Sequence, residues 1–237
     1  MTTFTLKIIA VIAMLIDHLA FVFPQYFPSY FRIIGRIAFP IFVFLIAQGC
    51  HHTSNMPKYL WRLFLFALIA EIPFDLARGD TVDFLSNTNI FYTLTLGVFA
   101  IYVYQWLTKH LGTKLGILPA IGILFAAVFA ADMLSTDYGA WGVAFIFSMY
   151  IITNKPLKLT AMAFFCLRMH APTLAILNHR LATLGDPTNL AWIIGYLTPV
   201  ALVYFYNGKK GPNMRWAFYV FYPAHLLILA LLSMMIA

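Results

Sequence analysis

The chain has 237 residues, of which 62% are hydrophobic and only 10% are charged. Soluble domains carry about 25% charged residues, so this composition excludes an ordinary soluble domain and indicates an integral membrane protein. The formal net charge of +7 does not indicate nucleic-acid binding, because the basic residues are dispersed along the chain rather than gathered in one patch.

Nine hydrophobic segments follow one another along the chain, with no low-complexity tract or linker between them. A helix of about 20 apolar residues crosses a bilayer, and Pro, Gly and Asn interrupt the chain between several of the segments. The sequence therefore predicts an all-α, polytopic membrane bundle that forms one domain over residues 1–237. The predicted spans are residues 4–23, 32–51, 58–77, 89–108, 115–131, 139–153, 158–178, 189–206 and 214–236.

Basic and acidic residues lie at opposite ends of the predicted membrane segments. If the N-terminus is cytoplasmic, the cytoplasmic ends hold Lys and Arg but no acid, and all eight acidic residues fall in outer loops or outer half-spans. Lys and Arg in short loops favour the cytoplasmic side of a membrane. We therefore expect a cytoplasmic N-terminus and an external C-terminus.

Asp17 and His18 lie inside the first predicted span. Ionisable groups within a membrane are costly unless they face a polar interior, so these two residues are functional-site candidates. Lys7 precedes His18 by eleven residues, which places both side chains on one helix face about 16 Å apart. Neighbouring helix residues point about 100° apart, so we expect a carboxylate from another helix, such as Glu71 or Asp75, to orient His18 instead of Asp17.

Two pairs of charged residues have helical spacing. Arg32 and Arg36 open the second predicted span at i and i+4, and Glu71 and Asp75 close the third at the same spacing, so each pair shares a helix face. One interpretation joins the two helices and predicts an ion pair of Arg36 with Glu71 or Asp75. The alternative extends both arginine side chains to the outer lipid headgroups.

Further polar residues lie near the starts of later spans or inside them. Asn89 begins the fourth span, and Asp137 and Tyr138 precede the sixth. His225 lies within the ninth span, one turn after Tyr222, where a proline permits a kink that opens space for a ligand. A single membrane histidine is more often a structural hydrogen-bonding group than a catalyst. No set of His, Cys, Asp and Glu has the spacing of a metal site, so we expect no metal.

Six stretches of the chain carry a family resemblance: LKIIAVIAMLIDHL (6–19), RIIGRIAFPIFVFLIAQG (32–49), KYLWRLFLFALIAEIPFDL (58–76), NIFYTLTLG (89–97), DYGAWGV (137–143) and FYPAHLL (221–227). Together they resemble the TraX family, which is named for the conjugative pilin acetylase. The spacing of Lys7 and His18 also resembles the signature of the membrane acyltransferase-3 families, in which a basic residue and a histidine are separated by ten residues.

The resemblance implies an acyl-CoA-dependent N- or O-acetyltransferase of the bacterial inner membrane. It implies cytoplasmic acetyl-CoA as donor and an acceptor on the periplasmic side: a protein amino terminus such as pilin, a glycan or a small molecule. His18 is then the catalytic base or a transient acyl carrier. The candidate residues are His18, Asp17 and His225 for catalysis, Lys7, Arg32, Arg36 and Tyr222 for the donor, and Glu71, Asp75, Asn89, Asp137 and Tyr138 for the acceptor or a structural polar network.

Two other classes of function are compatible with the same residues. A proton-coupled transporter would also need Asp, His, Glu and Arg inside the membrane, although the chain shows no inverted repeat of the kind that many transporters have. An assembly factor would use the buried charges only to hold helices together. Acetyl-CoA should stabilise the purified protein if it is an acyltransferase, and should have no effect in the other two cases.

Overall fold

The computed structural model describes residues 1–170, 182 and 185–236, and all regular secondary structure in these ranges is helical. The prediction of an all-α fold is therefore confirmed for the described part of the chain. The helices are α1 (Thr3–Val22), α2 (Phe31–Gly35), α3 (Ala38–His52), α4 (Met56–Arg78), α5 (Ile90–Met133), α6 (Gly139–Ile151), α7 (Lys155–His170), α8 (Pro187–Tyr204) and α9 (Arg215–Ile236).

Four helical stretches in the described part of the chain are long and apolar enough to cross a membrane. This property of length and composition supports the assignment as a membrane protein. The end of the seventh predicted span, residues 171–178, lies outside the described residues. The four stretches are Thr3–Val22, Phe31–His52, Ile90–Met133 and Trp216–Ile236.

The long helix α5 folds back on itself at Gly112, where the backbone has φ 76° and ψ 159°. Glycine adopts such a conformation without steric cost, because it has no Cβ atom. Ala100 before the break and Ala127 after it belong to one buried cluster, so the two arms of α5 pack against each other. The break lies where the sequence predicts the end of the fourth span and the start of the fifth.

The chain divides into two compact units. The first unit comprises Met1–Phe42 and Asn154–Ala237, and the second comprises Val43–Thr153. The boundary falls within α3, so the first unit holds α1, α2, α7, α8 and α9, and the second holds most of α3 together with α4, α5 and α6.

In the first unit, α1 and α9 lie side by side and run in the same direction. The ring of Phe4 meets that of Phe218 with centroids 6.4 Å apart, and farther along both helices the ring of His18 meets that of His225 at 4.9 Å. Because the contacting positions increase together along the two helices, their axes are parallel rather than antiparallel.

Backbone hydrogen bonds hold the start of α1 against the segment that precedes α9. The N–H of Thr3 donates to the carbonyl oxygen of Lys209 at 2.8 Å, and the N–H of Phe4 donates to that of Lys210 at 3.1 Å. These bonds use N–H groups of the first turn of α1, which have no partner within the helix itself.

We expect Gly112→Ala to destabilise the protein by about 1–3 kcal/mol, because an L side chain is strained in this backbone conformation. Gly122 provides a matched control in the second arm of α5, since an added Cβ there meets no atom within 4 Å. Thermal unfolding in detergent measures both variants. If Gly112→Ala and Gly122→Ala unfolded at the same temperature, the fold-back at residue 112 would be wrong.

Candidate functional site

Two histidine side chains meet in the first unit between α1 and α9. Nδ1 of His18 lies 2.6 Å from Nε2 of His225, and the two rings stack with an interplanar angle of 16°. Nδ1 of His225 lies 2.7 Å from the carbonyl oxygen of Phe221, one turn earlier in α9. His225 is buried, with 5% of its surface exposed. The structure thus brings together two of the three residues that the sequence nominates for catalysis.

Tyr222 lines the same place. Its buried ring lies edge-on to His18, at a centroid distance of 6.3 Å, and edge-on to His225 at 5.7 Å. One aromatic ring therefore packs against both imidazoles and limits how far either can rotate. The sequence nominates Tyr222 for donor binding, and the structure places it at the histidine pair.

Asp17 faces α2 instead of α9 and lies between two arginines. Its Oδ2 is 2.9 Å from Nη1 of Arg32, and its Oδ1 is 3.7 Å from Nη2 of Arg36. Nε of Arg36 also donates to the carbonyl oxygen of Arg32 at 3.0 Å. Two guanidinium groups share one carboxylate, so this cluster carries a net positive charge beside His18 in the chain.

Two glycines allow the short helix α2 to pack closely against α1 and α8. A Cβ atom on Gly35 would overlap the carboxylate of Asp17, so only glycine lets α2 approach α1 this closely. On α8, a Cβ atom on Gly195 would lie 3.2 Å from the carbonyl oxygen of Ile33. The role of Gly35 was not predicted from the sequence, and its place between two arginines in the run RIIGR was the available signal.

The structure gives Arg36 and His18 different partners from those predicted. Arg36 pairs with Asp17, and His18 contacts His225, and neither partner was predicted from the sequence. The reason is the rotation of about 100° between neighbouring helix positions, which turns residue 17 towards α2 and residue 18 towards α9.

Glu71 and Asn89 form a buried network in the second unit. Oε2 of Glu71 accepts hydrogen bonds from the backbone N–H of Asn89 at 3.1 Å and from its Nδ2. Nδ2 of Asn89 also donates to the carbonyl oxygen of Ala67 at 2.7 Å, and its side-chain oxygen caps α5 through the N–H of Phe91. The network joins α4 to the start of α5, while Oε1 of Glu71 has no hydrogen-bond partner among the residues that the structure describes.

Asp75 lies one turn after Glu71 and binds the loop that follows α4. Its Oδ2 accepts from the backbone N–H of Asp83 at 2.8 Å. In that loop, the hydroxyl of Ser86 and the N–H of Leu85 bond to the carboxylate of Asp83, and these hydrogen bonds lower its pKa below the usual value. The loop is thus shaped by backbone N–H groups that donate to carboxylates.

Asp137 and Tyr138 build the turn between α5 and α6 with their main chain. The N–H of Asp137 donates to the carbonyl oxygen of Thr88 at 2.9 Å, and its own carbonyl oxygen accepts from the hydroxyl of Thr93. Tyr138 has φ 66° and precedes the first residue of α6. The main-chain geometry thus gives both positions a structural role in this turn.

Lys7 lies on the side of α1 that faces α9, as does His18. Its Nζ lies 5.0 Å from the ring centroid of Phe218, a distance at which a cation is attracted to an aromatic face. At the same end of the first unit, Lys209 and Lys210 bond through their backbone to the start of α1. Three lysines thus lie near the ends at which α1 and α9 begin.

We expect Asp17→Ala to lower the free energy of unfolding by about 1.5–3 kcal/mol. The substitution removes the carboxylate that accepts a hydrogen bond from Arg32, and it leaves two positively charged guanidinium groups next to each other. Asp80→Ala is the control, since Asp80 pairs with Arg78 at 2.8 Å on a more exposed surface. Such exposed pairs contribute less than about 1 kcal/mol. Equal unfolding temperatures for the two variants would contradict a structural role for the Asp17 cluster.

The comparison with known proteins agrees with the motifs. The family model described as TraX protein matches residues 3–233. The probable fimbrial assembly protein FimC, serogroup H1, of Dichelobacter nodosus is 32% identical over 242 residues, which cover 96% of this chain and 94% of that protein. No solved structure matches the chain. With a family match over nearly its whole length, this chain belongs to the TraX family.

Proposed function

We propose that this protein is a membrane acyltransferase that moves an acetyl or other acyl group from cytoplasmic acetyl-CoA to an acceptor on the periplasmic side. The observation that carries the proposal is the contact of His18 with His225 between two apolar helices. The unprotonated ring nitrogen of an imidazole has a lone pair that can take a proton or attack a carbonyl carbon, so an imidazole is suited to act as a base or a nucleophile. A pair of imidazoles between apolar helices is expensive to maintain inside a membrane unless it is used.

In the first route that we propose, His18 acts as the general base. The acceptor nitrogen or oxygen forms a bond to the acyl carbonyl carbon and gives its proton to His18. The carbon–sulfur bond then breaks, and the departing thiolate takes the proton from His18. In the alternative route, the imidazole nitrogen bonds to the acyl carbon as the carbon–sulfur bond breaks and the thiolate leaves. The acceptor then bonds to the acyl carbon, the carbon–nitrogen bond to the imidazole breaks, and the acceptor's proton passes to the thiolate. In both routes a negatively charged oxygen develops, and the net positive cluster of Arg32 and Arg36 around Asp17 supports its stabilisation.

Donor binding is proposed at the end of the first unit where α1 and α9 begin. Coenzyme A carries phosphates, and Lys7, Lys209 and Lys210 supply positive charge near this end. Lys7 and His18 both face α9 about 16 Å apart along α1, a separation that the extended pantetheine arm of the donor spans. The thioester would then reach the imidazoles while the phosphates stay among the lysines.

The proposed topology has nine spans, a cytoplasmic N-terminus and an external C-terminus in the bacterial inner membrane. The parallel packing of α1 and α9 supports an odd number of spans, because two parallel membrane helices begin on the same side. The fold-back at Gly112 supports counting α5 as two spans. Under this topology Lys7 lies near the cytoplasm, where acetyl-CoA is found.

The acceptor class is proposed from the relative in Dichelobacter nodosus, whose name describes a probable fimbrial assembly protein. We propose that the acceptor is a pilin-type subunit, modified at its amino terminus. Mass spectrometry of surface proteins from a deletion strain would test this through the loss of one acetyl mass from a pilin. A pilin that kept its acetyl group in that strain would exclude it as the acceptor.

A proton-coupled transporter is a second candidate function, and one observation favours it. Glu71 is fully buried, and within the described ranges its Oε1 has no hydrogen-bond partner; Asp75 lies one turn away. Buried carboxyl groups of this kind carry protons in membrane transporters. Proton flux into vesicles containing the purified protein would favour transport, whereas stabilisation by acetyl-CoA would favour acyl transfer.

We expect His18→Gln to reduce acetyl transfer by at least about 100-fold, because glutamine stays polar but cannot accept a proton as a base. Acetyl-CoA should still raise the unfolding temperature of the variant. His110→Gln is the control, since His110 is exposed on α5 in the second unit. Transfer from labelled acetyl-CoA measures both variants. Native transfer rates in His18→Gln would show that His18 has a structural role only.

We expect Lys7→Ala to weaken acetyl-CoA binding, and to do so most at low ionic strength, where phosphate attraction is least screened. Lys114→Ala is the control, since Lys114 is an exposed lysine of the second unit. Titration of acetyl-CoA at several salt concentrations provides the comparison. If Lys7→Ala bound the donor like the wild type at every salt concentration, Lys7 would not belong to the donor site.

A further inference from the structure

Three polar groups lie in a row in the first unit: the carbonyl oxygen of Phe221, the ring of His225 and the ring of His18. The oxygen is 2.7 Å from Nδ1 of His225, and Nε2 of His225 is 2.6 Å from Nδ1 of His18. We infer that His225 is a positioning residue, which holds His18 in the one neutral form whose Nε2 can take a proton or an acyl group. This inference rests on the proposed function, with His18 as the reacting residue.

The protonation of the row follows from its first member. A carbonyl oxygen only accepts hydrogen bonds, so Nδ1 of His225 carries the hydrogen that it donates to Phe221. A neutral imidazole has one N–H and one acceptor nitrogen, so Nε2 of His225 is the acceptor. Nδ1 of His18 must then be the donor of the 2.6 Å contact. Nε2 of His18 is left with its lone pair.

The same row accommodates the charge that forms during transfer. When Nε2 of His18 takes a proton from the acceptor, the imidazolium that results donates through Nδ1 to His225 and needs no new partner. His225 is in turn anchored on the backbone of Phe221, so neither ring has to rotate. A base oriented by a third group is the arrangement found in the Ser-His-Asp triad. Here an imidazole stands where that triad has a carboxylate.

Asp17 cannot take this orienting role, because its carboxylate already lies between Arg32 and Arg36. These three side chains are charged groups on the α1 and α2 side of the pair, and Tyr222 packs on the pair from α9. A neutral imidazole orients His18 without adding a charge to the space between α1 and α9. This distinguishes His225 from the carboxylate that the sequence suggested for the role.

Two substitutions of His225 separate orientation from other roles. The variant His225→Gln keeps a side-chain oxygen that can accept from Nδ1 of His18, whereas His225→Leu fills the space without an acceptor. We expect His225→Gln to keep its turnover number within about 10-fold of the wild type and His225→Leu to lose about 100-fold or more, the range of acid–base catalysis. The KM for acetyl-CoA should change little in either variant.

Nitrogen-15 NMR of the histidine side chains in the detergent-solubilised protein tests the inference without any acceptor. The chain has seven histidines, and the signals of His18 are those that disappear in His18→Gln. We expect a hydrogen on Nδ1 and a bare Nε2 for His18 in the wild type and in His225→Gln. In His225→Leu the signals should move towards the form with hydrogen on Nε2, because its partner at Nδ1 is gone.

Three results would overturn the inference. A wild-type spectrum with hydrogen on Nε2 of His18 would reverse the direction of the row. Full acetyl-transfer activity in His225→Leu would show that His225 only fills space. Complete loss of transfer activity in His225→Gln, with an unchanged His18 spectrum, would show that His225 is itself a reacting group. An inactive wild-type protein with the expected spectrum would defeat the proposed function and leave the orientation of His18 standing.

Discussion

The interior of a lipid bilayer contains almost no water, so polar side chains among membrane helices must form their hydrogen bonds and ion pairs within the protein. This constraint accounts for the pairings in both units. His18 contacts His225, Asp17 pairs with two arginines, and Glu71 accepts hydrogen bonds from Asn89. Each pairing also joins two elements of the chain, so the groups that carry chemistry also hold the helices in register. A change at any of these residues is therefore expected to affect stability as well as activity.

The two pairings of the first unit perform different tasks although their first members are neighbours in the chain. Asp17 fixes α2 on α1 through its arginines and keeps net positive charge near the site. His18 faces α9 and, under the proposed function, reacts with the acyl group. The helix separates the two side chains by about 100°, which lets one span serve an ion cluster and an imidazole pair without either neutralising the other.

One glycine in each unit is required by the local structure, Gly35 for close approach and Gly112 for its backbone conformation. Gly35 lets the short helix α2 approach the carboxylate of Asp17, and Gly112 reverses the chain within α5. Neither position carries a functional group, and both are required because a Cβ atom would clash or be strained. The Asp17 cluster in particular depends on a residue that has no side chain.

The sequence by itself determined the helical class, the approximate positions of most helices and the shared face of Lys7 and His18, but it did not predict the break between α2 and α3. These follow from apolar segment length and from the helical repeat, both of which are local properties. It also identified His18 and His225 as costly polar residues, but it did not pair them. Only the tertiary structure decided that His225 faces His18 and that Arg36 binds Asp17. The helical repeat determines which residues share a face, whereas the neighbour opposite that face depends on how distant segments pack.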